Sequence, residues 1–351
     1  MKQKINIIFL MSIFVVKILF GIDYPQAGDD KPVEIYSYRI TLTAGDKVGY
    51  SALTSPTVYG LVWFAGGITM AAGSGSVIFA TPLYIDKQIS LATGNVLELA
   101  DDMFLADGVT LNASGKINAQ YGKLLLTGVF DLQDKILTFT TGGPAYICGN
   151  GHVIDFSKGG QIVVADAVNT LYISNVYLKG LRKNSIIFNN KLDDLVINNC
   201  VLQMDGNVLF HNDVFMEGDI LITGSGFSCC FNRYLGVGSG GNLIMDYGTT
   251  FSLGYPAEWY WDKVGNVFIW RGGIHFRGCN IEIGDNRGQS THSGVYNNGF
   301  NVPHAKIIFE DEVLINDNSN NKSFTLGVSS DAIFLSGARV ILEGTTTFSI
   351  Y

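Results

Sequence analysis

The sequence predicts an all-β solenoid in which short parallel strands wind into coils of about 24 residues, stacked one on the next. Three observations predict it. One apolar phrase recurs: LYISNVYLKG from Leu171, LVINNCVLQM from Leu195, ILITGSGFSC from Ile220, LIMDYGTTFSL from Leu243 and VFIWRGGIHF from Val267, with starts 24, 25, 23 and 24 residues apart. No single copy can bury its own aliphatic residues, so the copies must cover one another. Strand-forming Val, Ile, Thr, Phe and Tyr alternate with clusters of Gly, Asn and Asp, the turn formers. Two looser copies follow, IIFEDEVLIN from Ile307 and IFLSGARVIL from Ile333.

Composition bounds the class. Hydrophobic residues make up 47% and charged residues 15% of the chain, which excludes a disordered chain and a charge-rich helical one. A formal charge of -8 without any basic cluster excludes nucleic acid as the main partner. No cofactor is expected. Five cysteines, Cys148, Cys200, Cys229, Cys230 and Cys279, lack C-x-x-C spacing, so no zinc site is expected either. Cys200 and Cys229 fall among apolar positions and read as buried free thiols, whereas adjacent Cys229 and Cys230 should point to opposite faces.

At the start of the chain, Lys2 and Lys4 precede an apolar run from Ile5 to Val16, and Gly21 is a small residue suited to cleavage. Residues 1–21 therefore read as a signal peptide, and the protein as exported to the periplasm, the outer surface or the medium, with no transmembrane segment after cleavage. From 22 to 90, strand-like runs broken by Gly and Pro read as an N-terminal cap merging into the first irregular coils. Between Leu91 and Asp166 the runs VLELA, VTLNA, KLLLTG, ILTFT, HVIDF and QIVVAD recur at short intervals, as two or three strands per coil would give. The parallel coils then run over 91–351, interrupted by a loop insertion at 284–305, GDNRGQSTHSGVYNNGFNVPHA. Its His292 and His304 are too isolated to suggest a metal. A membrane β-barrel would also show evenly spaced strands behind an export signal, but successive Glu310, Asp311 and Glu312 occupy both faces and would stand in lipid.

Strand alternation assigns the faces. Leu171 and Ile173, Leu195 and Ile197, Ile220 and Ile222, Leu243 and Met245, and Val267 and Ile269 point inward; Ser174, Asn198, Thr223 and Asp246 point out. A polar or Gly residue, Asn175, Asn199, Gly224 or Arg271, then bends the chain into a second apolar position, Leu178, Leu202, Phe227 or Ile274.

These phrases resemble the right-handed parallel β-helix proteins of the pectate-lyase-like class over roughly 91–342. The resemblance implies the handedness, which the general preference for right-handed parallel crossovers also favours. It carries no activity, because that class spans polysaccharide lyases and hydrolases, phage tailspikes and adhesive domains. Polygalacturonase-like enzymes order an Asn-Thr-Asp phrase, an Asp pair, Gly-His-Gly and Arg-x-Lys. Here Asn169-Thr170 is followed by Leu171, Gly151-His152 by Val153, and the pair Asp193-Asp194 comes after them.

Candidate sites remain. The residue before each copy gives an outward column Thr170, Asp194, Asp219, Asn242 and Asn266. Asp194 and Asp219, expected one strand apart, suit a retaining glycosidase or a shared cation. The apolar second positions Tyr172, Val196, Leu221, Ile244, Phe268, Ile308 and Phe334 should form one outward stripe, a partner surface or a sugar-stacking groove. Trp259, Trp261 and Trp270 with Arg271 add aromatic planes beside charge, the pattern of a sugar site. The expected function is a noncatalytic surface or extracellular binding scaffold whose partners are a glycan or a host or cell-surface ligand. The alternatives are a polysaccharide lyase or glycoside hydrolase, and a structural protein that associates with copies of itself.

Overall fold

The computed structural model describes residues 23–24, 33–43, 46–48, 61–79, 81–113, 115–118, 122–140, 143–165, 170–190, 193–231, 235–237, 242–253, 273–277, 280–283, 300–302, 306–317, 323–326, 331–343 and 347–350. The expected signal peptide, most of the 284–305 insertion, and Trp259, Trp261, Phe268, Trp270, Arg271 and Cys279 lie outside the described residues.

The chain is a right-handed parallel β-solenoid with about 23 residues per turn and no helix among the described residues. Three strands make each coil and define three faces. One full coil runs Ala145–Cys148 on the first face, Val153–Asp155 on the second and Gln161–Val164 on the third. The next runs Thr170–Ser174, Tyr177–Leu181 and Ile186–Phe188, and each strand pairs in parallel with its counterpart below. Parallel rungs extend down to Val33–Tyr36, which pairs with Leu61–Phe64, within the 22–90 stretch. The two 11-residue strands Asp194–Met204 and Asp213–Thr223 each bend once and supply both the first and second faces of their coils.

Register builds the core. On the first face Val62, Leu83, Met103, Leu124, Ile147, Ile173, Ile197 and Met216 stand one above another. All eight are buried. Rungs about 4.8 Å apart bring these side chains into direct contact, and each fully buried aliphatic contributes roughly 1.5–3 kcal/mol. Ile154, Leu178, Leu202, Ile222 and Met245 repeat the arrangement under the second face.

The stack departs from the expected phase in three places. Leu171 lies under Leu195, its counterpart in the next copy, as the repeat predicts. Leu195, however, lies under Val214, which falls well before the next copy begins, and Ile220 stands over Cys200 instead. The third copy of the phrase thus lies on the second face, not above the first two. Leu243 pairs with Ile274, so the second half of the fifth copy supplies the rung. In the last copy Ile333 pairs with Ile308 and Phe334 with Phe309, a slip of one residue that puts Phe334 in register with the inward column, although on this rung it is still 50% exposed. The Phe309 and Phe334 rings stack at 5.0 Å.

Cys200 and Cys229 are buried free thiols, and Cys230 lies on the face opposite Cys229. No helix among the described residues is long and apolar enough to cross a membrane.

Candidate functional site

The phase shift splits the expected outward stripe into two columns. On the first face Lys123, Tyr146, Tyr172, Val196 and Phe215 follow one another. On the second, Val153, Tyr177, Val201, Leu221 and Ile244 do so, and the register continues through His275, Ile308 and Ile333.

Tyr172 occupies a closed position in the first column. Its ring stacks on Tyr146 at 4.8 Å and 13°, and Val196 lies on the rung above. Val196 is only 8% exposed despite pointing outward, so its large neighbours Tyr172 and Phe215 cover it. Lys123 places its ammonium over Tyr146, 5.9 Å from the ring centre. With Tyr146 on one side and Val196 on the other, the Tyr172 ring turns its edge and hydroxyl outward, and a sugar has no free ring face to lie on. Burial, then Tyr146, Glu217 and Asp194, push the Tyr172 hydroxyl above its usual range, so it remains a neutral donor at ordinary pH.

The expected acidic pair is not a neighbouring pair. Asp194 lies between Thr170 and Asp213 in the stack, whereas Asp219 stands farther along the same strand as Asp213, past the bend at Gly218, and pairs with Asn242. Asn242 donates its side-chain N–H to Asp219 at 2.8 Å. The juxtaposition that suggested a retaining glycosidase therefore belongs to Asp194 and Asp213, and Asp219 turns to holding its own rung. Among the described residues no group of three or more His, Cys, Asp or Glu gathers as a metal site would require.

The bend between the two faces carries the more open site. Asn150, Asn175, Asn199 and Gly218 occupy this corner on successive coils, with φ of 50°, 52°, 50° and 62°. Asn and Gly are the residues that tolerate this left-handed conformation, and it is what turns each strand from the first face into the second. The fit is tight where the coil shortens: a Cβ on Gly218 would lie 2.2 Å from Asn199 Oδ1.

Asn150, Gly151, Asn175, Val176, Tyr177, Asn199 and Val201 line a shallow hollow of about 300 Å³ at this corner, near the lower end of the range for small-ligand sites. Its three amides are differently employed. Asn150 donates to the Leu126 carbonyl at 2.9 Å and accepts from the Cys148 thiol. Asn199 Oδ1 accepts the Asp219 backbone N–H at 2.9 Å. Between them, Asn175 uses its backbone N–H toward Asn198 and its carbonyl toward Gly151, while no hydrogen bond among the described residues engages its exposed side-chain amide.

Tyr177 forms the wall. Its neighbours above and below are Val201 and Val153, so no aromatic ring stacks on it within the column as Tyr146 stacks on Tyr172, and it is half-buried. Its hydroxyl donates to Gln203 Oε1 at 2.7 Å, which fixes the ring. Next to it Lys179 is paired with Asp155 at 2.8 Å. Burial alone would raise the Asp155 carboxyl, but hydrogen bonds from Lys179 and Ser157 outweigh it and hold the group below its usual value. Sequence reasoning marks Asn175 as a bend residue but misses Tyr177. The signal that finds it is the series Val153, Tyr177, Val201, in which one aromatic stands between two smaller residues at equivalent places in successive coils.

Comparison with family models, with curated proteins and with solved structures finds no match for this chain.

Proposed function

We propose that this protein is an exported, noncatalytic binding scaffold and that its ligand is a glycan seated at the concave corner between the first and second faces. One observation carries the reading: the half-buried Tyr177, with no aromatic neighbour in its column, lines a hollow together with Val201 and three asparagines, of which Asn175 keeps its side-chain amide unengaged among the described residues. Sugars are bound by this combination, an apolar ring against their C–H face and planar amides against their hydroxyls. The rigidity of the stacked core keeps the corner preorganised, which limits the entropy lost on binding.

A glycan array probed with the full chain, followed by a cleavage assay on every glycan retained, tests this reading. Wild type should retain at least one glycan and release no fragment from it, and Tyr177→Ala should lose most of that retention. Cleavage that disappears in Asp194→Asn or Asp213→Asn would move the protein to the glycoside hydrolases. No retained glycan at all would end the glycan reading.

A further inference from the structure

We infer that the corner hollow recognises the acetamido group of an N-acetylated sugar, an inference that rests on the glycan reading and narrows it. Three features select this group. The Asn175 amide offers a donor and an acceptor in one plane, and no hydrogen bond among the described residues consumes either. An acetamido group presents its own N–H and C=O in the same way, so the two can meet through a pair of hydrogen bonds. Its methyl needs an apolar seat within a few ångströms of that pair, and the half-buried Val201 and Tyr177 line the same hollow, whereas Val176 beside them is buried in the core.

The surroundings disfavour the other sugar classes. Glu217 and Asp219 are exposed on the strand that passes the corner, and Asn199 binds the Asp219 backbone directly. The ammonium of Lys179 is already held by Asp155. A uronate would thus meet like charge, and none of the described residues that line the hollow is a cation to pair with it. A plain neutral hexose would satisfy the amide through hydroxyls but leave the valine seat unfilled. The contrast among the three asparagines gives the site its position along the solenoid. Asn150 uses both ends of its amide and Asn199 uses its side-chain oxygen, whereas no hydrogen bond among the described residues engages either end of the Asn175 amide, which is left for a ligand.

Calorimetric titration of the full chain with three neutral or cationic probes tests this: a β-1,4-linked trimer of N-acetylglucosamine, the same trimer deacetylated, and the glucose trimer. The acetylated trimer should bind at least about tenfold more tightly than either of the others, the worth of roughly one to two net hydrogen bonds. Asn175→Gly keeps the left-handed corner while deleting the amide, so it should fold as wild type does by circular dichroism and lose that tenfold preference. Tyr177→Ala should weaken all binding. Equal affinity for the acetylated and glucose trimers, tightest binding of the deacetylated trimer, or a preference that survives in Asn175→Gly would each overturn the acetamido assignment while leaving glycan binding intact. Failure of all three trimers, with another glycan retained on the array in a Tyr177-dependent way, would also overturn the acetamido assignment alone. Failure of every glycan would remove both.

Discussion

Replacing Gly218 with Ala probes the corner where the solenoid changes phase. Gly218 has φ of 62°, and a Cβ there would lie 2.2 Å from Asn199 Oδ1, the atom that accepts the Asp219 N–H. Three contributions set the magnitude. Holding an L-residue in the left-handed region costs about 1–2 kcal/mol. Restricting the unfolded chain returns about 0.4–1 kcal/mol. Displacing the Asn199 amide forfeits one hydrogen bond, about 1 kcal/mol. The net loss should be about 2 kcal/mol, half of it arising through Asn199. In an Asn199→Gly background that half has already gone, so Gly218→Ala should there cost only about 1 kcal/mol, a coupling of about 1 kcal/mol between the two sites. Urea unfolding followed by circular dichroism gives the four stabilities. Amide exchange across 194–223 localises the loss, which matters because stacked coils can open in segments. A Gly218→Ala protein as stable as wild type, or one whose loss is the same in both backgrounds, would refute the tight contact at this corner.

Two further predictions follow from charge and burial. The Asp155 carboxyl is held below its ordinary value, so the stability it contributes is present above the unfolded value near 4 and disappears as pH falls through the folded one. Lys179, raised by its hydrogen bond to Asp155, contributes below its unfolded value near 10.4 and stops contributing as pH climbs past the folded one. Asp155→Asn should therefore be less stable than wild type at pH 7, and the difference should vanish in acid; a gap that persists at pH 2 would contradict the pairing. For the thiols, burial pushes Cys200 up to about 11 and Cys229 well above its usual value. Alkylation of the native protein at pH 8, read by peptide mass spectrometry, should modify Cys148 and Cys230 and spare Cys200 and Cys229 until denaturant is added.

The architecture was legible because it depends on alternation, and alternation is written in the chain. Leu171, Ile173, Leu195 and Ile197 sit where period-two reasoning puts them, in ladders with their counterparts. Phase was less legible. The first and second faces of a coil share one code, aliphatic inward and polar outward, so ILIT at Ile220 matches LVIN at Leu195 in wording while it stacks on Cys200, Val201 and Leu202. What sets the step is turn length. Only His211 and Asn212 separate Val208–Phe210 from the next strand, which makes that coil shorter than the repeat. Turn residues carry no apolar signal that a repeat search could align. The same limit dissolved the Asp194 and Asp219 pair and joined two outward columns into one. Near the end of the chain, Phe309 beneath Phe334 decides the register against the matched isoleucines at the start of each copy. The corner asparagines were visible as polar punctuation after each strand. Which of them is idle depends on hydrogen bonds to neighbouring coils, and those follow from the register alone.

The most direct test of the account is therefore the register itself, on which both outward columns and the corner site depend. Cysteines placed at Asp194 and Asp213 should close a disulfide under mild oxidation, because directly opposed residues on adjacent strands fall within the roughly 4.4–6.8 Å between Cα atoms that a disulfide spans. Cysteines placed at Asp194 and Asp219 should stay reduced under the same conditions. Rapid closure of the 194–219 pair with none at 194–213 would contradict the account.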